Sequence, residues 1–156
     1  MGIARLLIPV KGERTDKDAM ELASKLIDLT NGHIYVLYVI EVPREYPVDA
    51  DLPKETAIGE KVLTKVEEFF QNLKISVTGE FLQARDLGPA VLKEVEERNI
   101  ELVLFGTGYD VTHGVYSPGE DVTYLLKHIP CPIWVLREEI PSTTELPDNL
   151  DSKDTR

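Results

Sequence analysis

The chain has 156 residues, 17 basic against 28 acidic, and a formal net charge of −11. That length fits one ordinary domain with its own apolar core and leaves no room for two. The acidic balance, without a lysine or arginine cluster, excludes nucleic acid and membrane surfaces as partners, and the single cysteine, Cys131, excludes an internal disulfide or a cysteine metal cluster.

Apolar residues 6–10 read as a first strand. The run is too short for a signal core or a membrane span. Leu6 also stands where a myristoylation signal needs Ser or Thr, so a cytoplasmic protein is expected. A turn, Lys11-Gly12-Glu13-Arg14, leads to a helix with Thr15 and Asp16 as capping candidates. Ala19, Leu22, Ala23, Leu26 and Ile27 form its apolar face, and Gly32 stops it. Residues 34–40, rich in β-branched and aromatic types, predict a second strand.

Residues 42–56, with three prolines and several acids, read as a long surface loop. Ile58, Val62, Val66, Phe69, Phe70 and Leu73 recur at helical steps. Ile75, Val77, Gly79 and Phe81 alternate with polar residues, as an edge strand with one wet face does. A helix over 89–98 turns Val91, Leu92 and Val95 inward, and Leu102-Val103-Leu104-Phe105 is a strand covered on both faces. A loop over 106–117 precedes a helix whose stripe is Val122, Leu125, Leu126 and Ile129. Pro130-Cys131-Pro132 ends it, and Ile133-Trp134-Val135-Leu136 is the last strand. Residues 1–138 form the expected domain, and 139–156 an acidic tail with little to bury, expected to be disordered.

Strand and helix alternate throughout. That pattern predicts a doubly wound, three-layer α/β/α fold on a five-stranded parallel sheet. With the third strand at an edge, the order is 3-2-1-4-5. Direction reverses between strands one and four, and ligands of such sheets lie in the crevice beyond their carboxyl ends. Val10, Lys11 and Gly12 should face Gly106, Thr107, Gly108 and Tyr109 there. Pro9 is awkward in a central strand, since it has no ladder donor.

Three stretches carry a family resemblance: residues 6–23, Asn99-Ile100-Glu101-Leu102-Val103-Leu104-Phe105-Gly106-Thr107, and residues 125–137 with their Pro-Cys-Pro step. In matching order over roughly 3–137, they resemble universal stress proteins. The resemblance implies the doubly wound fold, homodimers through the last strand (Ile133, Trp134, Val135, Leu136) and a regulatory role in stress response without catalysis. Many members bind ATP through Gly, two residues, Gly, nine residues, Gly, then Ser or Thr. Here that frame begins at Gly106 and ends on Gly119, with Tyr109 at the second glycine and Glu120 at the Ser/Thr position. Lys11 takes the place of an acidic residue after strand one, and backbone near Val39 would complete the pocket.

A Ser or Thr donating to phosphate gains about 1 kcal/mol. A carboxylate near 4 Å instead opposes it by about 1 to 4 kcal/mol. The departures therefore imply a degenerate nucleotide pocket with no bound cofactor. The alternative is a switch that binds ATP or another nucleotide, with at most slow hydrolysis; a third reading is a sensor of a small anion on Lys11. Ser117-Pro118-Gly119-Glu120 also has the form of a capping box, which makes Glu120 a candidate internal anion paired with Lys11. His33, His113 and His128 lack metal-ligand spacing, and His128 suits the last turn of its helix. Cys131 and Ser117 have no catalytic escort, so no catalytic or metal-binding residue is expected.

Overall fold

A computed structural model describes residues 2–141. The elements run β1 (Arg5–Val10), α1 (Thr15–Leu26), β2 (His33–Glu41), α2 (Pro53–Asn72), β3 (Val77–Ala84), α3 (Leu87–Arg98), β4 (Leu102–Thr107), β5 (Val111–Thr112), β6 (Val115–Tyr116), α4 (Glu120–His128) and β7 (Ile133–Arg137). One five-stranded sheet, ordered β3-β2-β1-β4-β7, is parallel throughout. This is the expected order, with β7 as the fifth strand and β3 at the edge. The expected tail lies almost wholly outside the described residues.

Both faces of the sheet are covered. Leu6, Ile8, Val10, Ile34, Val36 and Leu104 point toward α1 and α2 and pack on Ala19, Ala23, Leu63, Val66 and Phe70. Leu7, Leu37, Val103 and Phe105 point the other way, onto Leu87, Val91, Val95, Val122 and Leu125 of α3 and α4. Central strands buried on both faces read as unbroken apolar runs, as β1 and β4 do. Each fully buried Leu, Ile or Phe contributes about 1.5 to 3 kcal/mol of transfer free energy. The helical stripes were drawn too wide: Ile58, Leu73 and Leu126 are exposed, while Glu94 is buried. Burial pushes the Glu94 carboxyl up, and Arg98 pairs with it at 2.9 Å and also with Glu80.

Two loops differ from expectation. The segment between β2 and α2 is strapped down: Arg85 Nη1 donates to the carbonyls of Val42, Pro43 and Tyr46, and Gln83 Nε2 to those of Val48 and Ala50. It ends at Pro53, whose fixed φ suits the first turn of α2. The loop after β4 holds the β5–β6 hairpin, where His113 and Gly114 both have positive φ, 53° and 76°. Two positive values in sequence are what a tight type I′ turn requires.

Pro9 is explained by register. β1 pairs with β2 out to Val10, but with β4 only at Leu6 and Leu7. The β1–β4 ladder therefore ends before Pro9, and the two strands part there.

Candidate functional site

The turn after β1 is built around a buried acid. Asp16, 6% exposed, accepts from Lys11 N–H at 3.1 and 3.2 Å and from Gly12 N–H at 2.8 Å. Asp16 lies inside α1, so it does not cap the helix as predicted; it reaches back and satisfies the loop before it. Burial pushes its carboxyl above the ordinary range, while the Lys11, Gly12 and Glu13 N–H groups pull it back. Gly12 has φ 80°, and a Cβ there would lie 2.9 Å from Val62 Cγ2, so glycine is required twice over.

Beside this turn is a cavity of about 260 Å3 lined by Val10, Lys11, Tyr38, Val39, Glu41, Leu87 and Asp121. Of the residues expected at the crevice, Val10, Lys11 and Val39 line this cavity; Gly12, Gly106, Thr107, Gly108, Tyr109, Gly119 and Glu120 do not. The Lys11 ammonium sits over the Phe105 ring, 4.6 Å from its centroid. Burial pushes the Glu41 carboxyl up, and Asp121 pushes it further; the Leu87 N–H and Lys11 act against this. Tyr38 stacks on Phe81 at 5.8 Å, and burial raises its phenol. Sequence reasoning missed Glu41 and Asp121. Their signal was only positional: one ends β2, the other stands in the first turn of α4.

The loop after β4 is held by a different acid. A Cβ on Gly106 would run into the Thr15 carbonyl, so the close approach of α1 to β4 requires a glycine. Thr107 is buried, and its carbonyl accepts from Glu138 N–H at 2.9 Å. Tyr109 N–H donates to Glu138 Oε1 at 2.8 Å, and Arg14 donates to Oε2 through Nε and Nη2 at 3.1 and 2.8 Å. A Cβ on Gly108 would lie 3.4 Å from Oε1 of the same carboxylate, an ordinary contact. Tyr109 stacks on Tyr116 of the hairpin at 5.1 Å, with the Arg137 guanidinium over its ring. Sequence reasoning missed Glu138 and Arg14 as well; Glu138 is the last residue of the expected domain.

Glu120 is elsewhere. It opens α4 beside Asp86, Gly88, Pro89 and Tyr124 on one side and Lys127 and His128 on another, away from the Lys11 cavity. The capping box does not form. Gly119 is the N-cap at φ 90°, its carbonyl accepts from Thr123, and Ser117 Oγ accepts only from Gly119 N–H. Among the described residues Lys11 and Glu120 make no ion pair.

The remaining candidates have structural partners. His33 sits between the hydroxyls of Ser76 and Thr78, 2.6 Å from each, and burial holds its imidazole below the ordinary range. His128 lies in the last turn of α4 against Tyr124. Burial pushes the Cys131 thiol up, which leaves less thiolate at neutral pH. Among the described residues no group of three or more His, Cys, Asp or Glu is placed to hold a metal ion, and no helix is long and apolar enough to cross a membrane.

Comparison with known proteins places this arrangement. The family model described as universal stress protein family matches residues 2–137. No curated protein matches the chain. A universal stress protein family structure from Burkholderia pseudomallei superposes with a TM-score of 0.63 at 18% identity, covering 90% of this chain and 97% of that one. An Arabidopsis thaliana family member with AMP bound gives 0.61 at 15% identity, over 95% and 99%. A universal stress protein in complex with cAMP gives 0.65 at 9% identity, over 89% and 100%.

Proposed function

The chain belongs to the universal stress protein family, and from that premise we propose that it is a cytoplasmic, non-enzymatic regulatory module of stress response whose nucleotide pocket has lost its triphosphate side. One observation carries this reading: the crevice supplies its own negative charge. The Lys11 and Gly12 N–H groups are taken by Asp16, and Glu41 and Asp121 line the cavity between them and α3. A phosphate near 4 Å from either carboxylate is opposed by about 1 to 4 kcal/mol. Two such terms, about 2 to 8 kcal/mol together, weaken binding by tens of fold at the least and by several hundred thousand fold at the most, since about 1.4 kcal/mol is tenfold. The residues present do not fit ATP.

Titration calorimetry against ATP, AMP and adenosine tests this. Wild-type protein should show no micromolar ATP affinity, while a Glu41→Gln/Asp121→Asn variant should gain at least about tenfold. Micromolar binding of ATP by the wild type would overturn the proposal.

A second reading, a nucleotide- or nucleoside-binding switch, is favoured by a specific feature. The cavity keeps apolar walls at Val10, Val39 and Leu87 and a phenol at Tyr38, a lining suited to a planar base. Two family structures of the same fold hold AMP or cAMP. Adenosine binding without ATP binding would support that reading and keep the degenerate phosphate side.

The proposed assembly is a homodimer through β7. Among the described residues this strand pairs only with β4 and leaves its outer edge open, with Trp134 46% exposed. An apolar open edge is a template for a second strand. Light scattering should give a dimer mass for the wild type and a monomer for Trp134→Glu; a monomeric wild type would remove the assembly.

A further inference from the structure

His33 opens β2 and is engaged at both ring nitrogens. Nδ1 lies 2.6 Å from Ser76 Oγ, and Nε2 lies 2.6 Å from Thr78 Oγ1. The pairing of β2 with β3 explains the placement: Ile34 stands opposite Val77 and Tyr35 opposite Thr78, so the imidazole arrives between the two hydroxyls that flank Val77. Its ring rests against Tyr35 at 4.6 Å between centroids, and the Arg98 guanidinium sits over that same tyrosine.

A neutral imidazole has one donor and one acceptor nitrogen, so one hydroxyl accepts from the ring and the other donates to it. The donating hydroxyl is the one the ring can deprotonate. Ser76 is exposed and Thr78 half-buried, so Ser76 is the more open to a reagent. With Nε2–H on Thr78, Nδ1 is left as the base for Ser76. Nucleophile, base and a third group that orients the base are then in line, as in activated hydroxyl nucleophiles. Burial, and after it the Arg98 charge, hold the imidazole below its ordinary range, so the base form is present at neutral pH. The other charged groups here are already paired: Arg5, opposite His33 on β1, with Glu101, and Arg98 with Glu80 and Glu94. Lys74 stands two residues before Ser76. Both ring nitrogens face hydroxyls, and neither faces a carboxylate that would keep the ring protonated.

We propose that Ser76 is an acyl-acceptor site, taking one acyl group per chain from an activated donor, a thioester or an acyl phosphate, with His33 as general base and Thr78 as the positioning residue. Ser76 Oγ bonds the acyl carbonyl carbon as His33 Nδ1 takes its proton. The bond from that carbon to sulfur or to the phosphate oxygen then breaks, and the thiol or phosphate leaves with the proton, which returns His33 to its neutral form. The products are an ester on Ser76 and the free leaving group, with no change of oxidation state. General base catalysis of this kind contributes about 10²- to 10⁴-fold. The transfer is a single modification without turnover and uses no residue of the Lys11 cavity, so it stands or falls apart from the nucleotide-pocket proposal.

The test incubates the full chain with acetyl phosphate and, separately, with the acetyl thioester of N-acetylcysteamine. Peptide mass spectrometry maps the adducts before and after hydroxylamine, which removes esters and leaves lysine amides. Ser76 should acquire its ester about a hundredfold faster than the exposed Ser117, whose oxygen meets only the Gly119 N–H. The donor that labels Ser76 identifies the source. Ser76→Ala, a change at an exposed side chain, should lose that ester. His33→Gln keeps a donor and an acceptor between β2 and β3 and should slow the labelling by at least about tenfold. Thr78→Val should slow it as well, and Thr78→Ser should restore it. In the wild type the rate should rise with pH through the imidazole titration, with its half-maximum below the ordinary value of 6.5. No ester at Ser76 from either donor, a rate equal to that of Ser117, or a rate indifferent to His33→Gln overturns the site.

Discussion

Removing the Asp16 carboxylate tests whether the turn after β1 is built around an internal anion. Asp16→Ala strips the acceptor from the Lys11 and Gly12 N–H groups, which sit at 2.8 to 3.2 Å from it. A hydrogen bond to a charged group contributes about 1.5 to 3 kcal/mol, and relief from burying the acid offsets part of two of them, leaving a loss of about 2 to 4 kcal/mol. In a domain of this size that is a fall in Tm of roughly 5 to 15 °C. Urea unfolding should show the midpoint lowered with the slope unchanged.

The pH dependence adds a second check on Asp16. Its carboxyl is raised in the folded state, so the fold binds that proton more tightly than the unfolded chain does. Its contribution is therefore greatest below the ordinary carboxylate value and is lost as pH rises through the raised one. The gap between wild type and Asp16→Ala should widen on acidification. A variant as stable as the wild type, or a gap that narrows toward acid, would refute the account of this turn.

Three other expectations follow from single contacts. Gly12→Ala forces a side chain into positive φ against Val62 Cγ2 and should lower stability by about 1 to 3 kcal/mol in the same unfolding assay. Thr15→Val replaces the partnerless buried hydroxyl with a methyl and should raise stability by about 1 kcal/mol in the same assay; a loss of stability would show that the hydroxyl has a partner. The Glu138 carboxyl is held below its ordinary range first by the Tyr109 N–H and then by Arg14. Its contact therefore stabilises above the ordinary carboxylate value and is lost as pH falls through the lowered one, and the Tyr109 amide shift should report that step below the usual glutamate range.

The fold was legible because its signals are coarse and redundant. Continuous apolar runs at β1 and β4 need two covered faces, and apolar-polar alternation in the β3 sequence suggested an edge, so 3-2-1-4-5 was the simplest order; β3 is at the edge, though half-buried along its whole length. The side chains that line the Lys11 cavity were not legible, because a helix terminus fixes where charge is wanted but not which residue brings it. Ser117 and Glu120 had the spacing of a capping box, yet Gly119 at φ 90° swings the chain so that Glu120 starts the helix instead of reaching back. The β5–β6 hairpin was hidden for the same reason: His113-Gly114 is not one of the usual type I′ pairs, and His113 carries the positive φ without glycine.

The acids that do serve these positions are brought by neighbours. None of α1, α2, α3 or α4 has a side-chain hydrogen bond from its N-cap residue. Instead the Leu87 N–H at the start of α3 acts on Glu41, from the end of β2, and pulls its raised carboxyl back. Asp16 receives the turn before α1, and Glu138, just past β7, receives the loop after β4. Helix starts at the carboxyl edge of a parallel sheet concentrate unpaired N–H groups and positive dipole ends there, and each must meet an acceptor. A bound phosphate can be that acceptor. In this chain the Asp16 and Glu138 carboxylates take that part for the Gly12 and Tyr109 N–H groups.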